Sequence, residues 1–285
     1  MKEFLDITRQ IETNGILELE SIPKSENQGS VMSYLDGYYY KQFCKDGLQG
    51  TIETYCALYF AICHYQREFT IPWENPEEEA DKEILRRFLF MVLADHPEFF
   101  YVSWEQTTYS FDGVSAKIDF KYGFGKEACR KLQRQIRNKV LYVTFLARCC
   151  CGKSKLEQIK YLYCCFVKHM TYAGKELKSS DAEVQCRIHS AAGALLDKKA
   201  VCDGMARGFK MLLDELGIEN RVIRQNIRDG MEYSHEWNII TWNGEEFHAD
   251  ITWERDLYSQ KKQVLYRFFM VSQDKMQELH RKTLH

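Results

Sequence analysis

Cys202, His235 and Asp250 are the residues in this chain best suited to covalent chemistry. A thiolate can attack a carbonyl, an imidazole moves protons near neutral pH, and a carboxylate orients the imidazole. What matters is whether the chain brings them together. From Cys202 onward, positions 202, 205, 209, 212, 213 and 216 carry Cys, Met, Phe, Leu, Leu and Leu, which is one face of a helix. Gly217 is placed to end that helix. The thiol therefore falls in the first turn, where unpaired N–H groups and the positive helix end favour a thiolate and can stabilise an oxyanion. Taken alone, a cysteine on an apolar helix face is more often inert core than nucleophile.

The next segment changes that balance. His235 to Trp242 has a strand-like composition and meets Glu245 to Thr252 across Asn243-Gly244, a strong two-residue hairpin signal. Such a loop pairs Trp242 with Glu245, Ile240 with Phe247, Trp237 with Asp250 and His235 with Thr252. His235 and Asp250 then share a face at diagonal positions, a gap that an imidazole and a carboxylate can close. His248 lies on the same face nearer the turn, and with His235 and Asp250 it also defines a rival, metal-dependent hydrolase reading. Trp237, Trp253 and Tyr233 are expected mainly in the core; the alternative is that Trp237 shields the His–Asp pair and that Trp253 and Tyr233 line the cleft.

Lys198-Lys199-Ala200-Val201-Cys202-Asp203-Gly204-Met205-Ala206, His235-Glu236-Trp237-Asn238 and Asp250-Ile251-Thr252-Trp253-Glu254 follow one another in that order. They resemble the core pattern of the transglutaminase-like superfamily. In bacterial members that pattern is a Gly-Lys-Ala-Val-Cys-x-Gly-Tyr-Ala helix start, then His-Ala-Trp-Asn, then an Asp-Val-Thr-Trp-Asp strand. Cys202, His235 and Asp250 match the family's catalytic positions one by one. The resemblance covers about residues 150–285, including Tyr266-Arg267-Phe268-Phe269 and the closing helix with His280, and extends more weakly through Asp95-His96-Pro97-Glu98-Phe99-Phe100. Met205, Glu236 and Glu254-Arg255 depart from the pattern, which bears on substrate preference rather than on the triad.

The resemblance implies an α+β fold in which the cysteine helix packs on an antiparallel sheet carrying the histidine and aspartate. It implies cysteine-dependent acyl transfer through a thioester on a protein or peptide substrate, as in a transglutaminase, deamidase or thiol peptidase, with no cofactor and no metal. The alternative from another class is a non-catalytic interaction module that keeps the fold.

The rest of the composition is that of a globular protein. With 45% hydrophobic and 28% charged residues, disorder is not expected as the main state. A net charge of -2, from 39 basic and 41 acidic residues mixed along the chain, disfavours a nucleic-acid partner. Charges interrupt the start of the chain and no apolar run reaches membrane-spanning length, so a cytoplasmic protein is expected, neither exported nor inserted in a membrane. Eleven cysteines in that setting read as reduced thiols. Cys149-Cys150-Cys151 and Cys164-Cys165 lack the paired CxxC spacing of structural zinc sites. Oligomeric state is not encoded in any feature of the sequence.

Two regions are expected: 1–125, helical with a β-hairpin, and 126–285, the catalytic core. Residues 1 to about 30 read as a loosely packed lead-in. Helical spacing recurs over 51–66 and again from Leu85 to Leu93 after an acidic start, and His96-Pro97 stops the second helix. Strand-like runs Phe99 to Ser110 and Val114 to Tyr122 flank Asp112-Gly113 as a hairpin. Long amphipathic helices follow over 126–148 and 154–169.

Overall fold

The computed structural model describes residues 37–47, 49–73, 78–226 and 234–283. The lead-in and Tyr233 lie outside the described residues. A helix the sequence reading did not include, α1 (Tyr38–Lys45), comes first; the two expected helical periods form α2 (Gln49–Cys63) and α3 (Glu78–Asp95), the last ending where His96-Pro97 begins. Between them runs β1 (Glu68–Pro72), which pairs antiparallel with β3 (Ser115–Asp119); β2 (Thr108–Phe111) pairs with the other edge of β3. The hairpin turns where expected, because Asp112 Oδ1 accepts from the N–H groups of Val114 (3.1 Å) and Ser115 (2.7 Å).

Its first strand is shorter than the run from Phe99 suggests, and β1 is a third strand that the sequence reading did not include. Phe99, Phe100, Tyr101 and Val102 are all buried, so they do not alternate between faces as a strand would require. The chain passes them into the core and turns through a 3₁₀ segment, Trp104–Gln106, before β2.

The two long amphipathic runs become α4 (Lys126–Cys151) and α5 (Lys155–His169), the latter capped by Ser154 Oγ, which accepts from the Glu157 N–H. A short parallel pair, β4 (Thr171–Tyr172) and β5 (Lys199–Ala200), brackets α6 (Ala182–Ile188) and delivers the chain to α7 (Cys202–Glu215). The fold closes with β6 (Asn220–Asn226), β7 (Ser234–Trp242), β8 (Glu245–Ala249), α8 (Ile251–Lys261) and α9 (Gln273–Thr283). Strands β6, β7 and β8 form an antiparallel sheet in that order, and α7 packs on β6 and β7. The class is α+β.

Helix α7 is held by the stripe that the sequence shows. Met205, Phe209, Leu212 and Leu213 are fully buried, and burial of each such side chain contributes about 1.5–3 kcal/mol. Its end follows from Gly217 at φ +69°, with Gly217 N–H bonded to Asp214 O (2.9 Å) and Ile218 N–H to Leu213 O (2.9 Å).

The β7–β8 register is the expected one, from Trp242 opposite Glu245 to Asn238 opposite Ala249, with Asn243 at φ 54° and Gly244 at φ 83° in the turn. It stops early. The strand expected to reach Thr252 ends at Ala249, and Asp250 is instead the N-cap of α8, its side chain accepting from the Trp253 N–H. An aspartate with a free backbone N–H three residues on caps a helix more readily than it continues a ladder. Among the described residues, no helix is long and apolar enough to cross a membrane. All eleven cysteines are free thiols.

Candidate active site

Cys202 opens α7 behind Val201, an N-cap whose side chain makes no capping hydrogen bond, so the first-turn N–H groups are left to other acceptors. One of them is already used, since Gly204 N–H donates to Asp203 Oδ1 (2.7 Å). Gly204 also sets how closely this helix end approaches the chain before it. A Cβ there would lie 2.4 Å from the Ile188 carbonyl oxygen and 2.9 Å from Ala200 Cβ. Cys202 is half-buried while the residues below it on the same stripe are fully buried, which leaves the thiol at the border of core and surface.

His235, near the start of β7, and Asp250, the cap of α8, are both completely buried. His235 Nε2 lies 2.7 Å from Asp250 Oδ2. The backbone of Asp250 is pinned as well: its N–H donates to Phe268 O (2.9 Å) and its carbonyl accepts from the Tyr163 hydroxyl (3.0 Å). Burial raises the Asp250 carboxyl, but the His235 and His280 imidazoles outweigh it and hold the group well below the ordinary carboxylate range. Burial likewise pulls His235 down, and the Asp250 carboxylate with the Cys202 thiol reverses this, pushing His235 up to about 10.

An ionised carboxylate only accepts, so Nε2 of His235 carries the proton that Asp250 receives. The remaining ring atom, Nδ1, is buried with no hydrogen-bond partner, and the Cys202 thiol is among the groups acting on this imidazole. The arrangement is a thiol at a helix N-terminus, an imidazole with one free nitrogen, and a carboxylate that fixes its tautomer.

His280, on α9, donates from Nε2 to the same Asp250 Oδ2 at 2.9 Å. The sequence reading gave it no role. The signal was present in Met276, Leu279 and His280 at i, i+3 and i+4, all buried, which puts a polar ring on an apolar helix stripe. Trp237 and Trp253 flank the pair, each with its ring centroid 5.6 Å from that of His235. Trp237 is buried, as expected of a core residue, whereas Trp253 is half-buried against the same cluster. His248 does not join them. Its Nδ1 accepts from Trp237 Nε1 (2.9 Å), and burial together with the Arg221 guanidinium pushes it down to about 4.

Residues 150–253 match the sequence model of the Transglutaminase-like superfamily, and Cys202, His235 and Asp250 all fall within that range. The chain contains a transglutaminase-like domain. This superfamily includes cysteine acyltransferases and peptidases. Two solved structures are similar to it over part of their length. A structure named as a TGase is 10% identical, with a TM-score of 0.35 over 65% of this chain and 50% of its own. A "putative protease" from Parabacteroides distasonis is 11% identical, with a TM-score of 0.29 over 51% of this chain and 35% of its own. The chain thus spans half the length of the first and about a third of the second. No curated protein matches it.

The transglutaminase-like core holds a second buried polar cluster, made by the residues that follow the cysteine and the histidine. Asp203 Oδ2 accepts from His189 Nδ1 (2.7 Å) and from Trp104 Nε1 (3.1 Å). Arg207, one turn along α7, donates to His189 O (3.0 Å) and faces Glu236 Oε2 at 3.4 Å across to β7. Burial pushes Glu236 up to about 7 against the pull of Arg207. The departure at Glu236 is thereby explained: it ties the histidine strand to the cysteine helix. Glu254 is explained too, because its buried carboxylate accepts from the N–H groups of Leu265 (2.7 Å), Tyr266 (2.8 Å) and Phe268 (3.0 Å). That loop in turn grips Asp250.

His235, Asp250 and His280 present three donor atoms within 4.8 Å of one another. Their carboxylate–imidazole separations of 2.7 Å and 2.9 Å are hydrogen-bond lengths. Donors around tetrahedral zinc stand about 3.3 Å apart, and a catalytic ion needs an open position that three buried side chains do not offer. The cluster is a hydrogen-bonded one.

Proposed function

We propose that this chain is a cysteine-dependent acyl-transfer enzyme acting on amide or peptide carbonyls, with Cys202 as nucleophile, His235 as acid–base and Asp250 as the group that orients the histidine. The observation that carries this reading is the buried His235–Asp250 hydrogen bond of 2.7 Å, which leaves Nδ1 as the unpaired nitrogen of an imidazole that interacts with Cys202.

In the resting site the proton of the Cys202 thiol already sits on His235 Nδ1, a thiolate–imidazolium pair that Asp250 keeps anionic overall. The thiolate adds to the carbonyl carbon, forming a C–S bond and an oxyanion. The N–H groups of Cys202 and Asp203 are the first-turn donors placed to receive it, since that of Gly204 is bound to Asp203. As the C–N bond breaks, the imidazolium protonates the leaving amine and a thioester remains. The acceptor then gives its proton to His235 and displaces the thiolate. An amine acceptor yields transamidation, whereas water yields deamidation or proteolysis.

An activated ester tests this without knowledge of the natural substrate. With p-nitrophenyl acetate, the expected result is a burst of nitrophenolate and an acetyl group on Cys202 that hydroxylamine removes, both absent in Cys202→Ala and His235→Ala. Acetylation spread evenly over the eleven cysteines, unchanged in His235→Ala, would contradict the proposal and favour an interaction module.

A further inference from the structure

On the acyl-transfer reading, we propose that His280 is a positioning residue, fixing the plane of the Asp250 carboxylate so that Oδ2 stays in line with His235 Nε2 throughout the reaction. Asp250 has three side-chain partners: His235 and His280 on Oδ2, and the Trp253 N–H on Oδ1 (3.1 Å). With the Trp253 bond alone, the carboxylate can turn about its Cβ–Cγ bond. The His235 bond weakens each time His235 gives up its charge during turnover, because hydrogen bonds to an ionised donor are about twice as strong as neutral ones. A donor independent of that cycle holds Oδ2 in place.

His280 is built for such a role. Its ring is boxed by Trp253 (centroids 4.4 Å), Trp237 (4.7 Å) and Phe268 (6.1 Å). Helix α9 is anchored beneath it by Met276 and Leu279, which pack with Trp237 and Phe268. The residue lies beyond the 150–253 range of the family match, so this support comes from an element outside the matched core. The titratable groups around the pair are accounted for. Asp250 comes from the start of α8, His235 from β7 and Cys202 from α7. His248, from β8, is committed to Trp237, and the Glu254 carboxylate is occupied by three backbone N–H groups.

The test is the rate of iodoacetamide labelling at Cys202 against pH in the full chain, for wild type, His280→Leu, His280→Gln and His235→Ala. Loss of the donor in His280→Leu is expected to slow labelling roughly ten-fold near neutral pH and to move the midpoint upward toward that of an ordinary thiol, while rates converge at high pH where any thiol is ionised. His280→Gln, which keeps an N–H donor, is expected to stay close to wild type. A His280→Leu profile that superposes on wild type, while His235→Ala loses the activation, would overturn the proposal. So would equal slowing in His280→Leu and His280→Gln at every pH, which marks packing alone. Failure of the underlying reading is distinct, because Cys202 would then label without activation already in wild type.

Discussion

Asp250 orients His235 through one carboxylate oxygen, 2.7 Å from Nε2, and starts helix α8 through the other, 3.1 Å from the Trp253 N–H. The two tasks are separable. Asparagine keeps a capping oxygen and removes the charge, whereas alanine removes both, at a cost of about 1 kcal/mol for the cap alone. In Asp250→Asn, His235 is expected to titrate far below about 10, since burial then acts without the carboxylate. The ring C–H shift of His235 followed by NMR against pH checks this. A titration unmoved from wild type would contradict the assignment of Asp250 as the dominant charge partner.

The same pair gives stability a pH dependence. His235 is raised from 6.5 to about 10, so its contribution is complete below pH 6.5 and is lost as pH rises through about 10. Asp250 is depressed, so its contribution is present above its unfolded value of 3.8 and is lost only in stronger acid. Chemical unfolding measured across pH 7 to 10 is expected to show stability falling with pH in wild type and a flatter dependence in His235→Ala.

Arg207 and Glu236 form a buried pair between the cysteine helix and the histidine strand, 5% and 3% exposed at their side chains. Removing one partner of such a pair costs about 3 kcal/mol or more when the other is left charged. Glu236, raised to about 7, can accept a proton when Arg207 is removed, while Arg207 cannot shed its charge. Glu236→Leu is therefore expected to destabilise more than Arg207→Met, and the double variant less than the sum. Denaturant midpoints for the three proteins decide it.

Gly204→Ala pushes a methyl group to within 2.4 Å of the Ile188 carbonyl, which is backbone and cannot yield cheaply. The expected result is a loss of about 1–3 kcal/mol together with slower labelling of Cys202, because relief of the clash moves the first turn of α7. Wild-type stability and labelling in this variant would show that the close approach is dispensable.

Much of this was legible in the sequence because local chemistry and tertiary need agree there. The stripe from Cys202 to Leu216, the glycine that ends it and the Asn243-Gly244 turn each specify one conformation, and the hairpin register follows from the turn. The reading of Asp250 as a strand residue was wrong in element and right in position. Its side chain reaches His235 from a helix cap, an alternative that strand alternation does not reveal. His280 was harder to place, since its partner is 30 residues away and is met only after α8 and the loop gripped by Glu254 have folded back. Strand β1 was missed because it is short and pairs with β3 across α3. Asp203 and Arg207 lie on a helix that its apolar pattern already accounted for, and His189 lies at the end of the preceding short helix, so nothing in composition marked them as a buried network.

The most direct test of the central claim is the pH dependence of iodoacetamide labelling, mapped by mass spectrometry over all eleven cysteines in wild type and His235→Ala. The account predicts that Cys202 labels fast near pH 6.5, well below the ordinary thiol value of about 8.5, and that the advantage disappears in the mutant. Labelling of Cys202 no faster than that of the exposed Cys44, Cys149 and Cys150 in both proteins would contradict a Cys–His pair and leave the domain without its proposed chemistry.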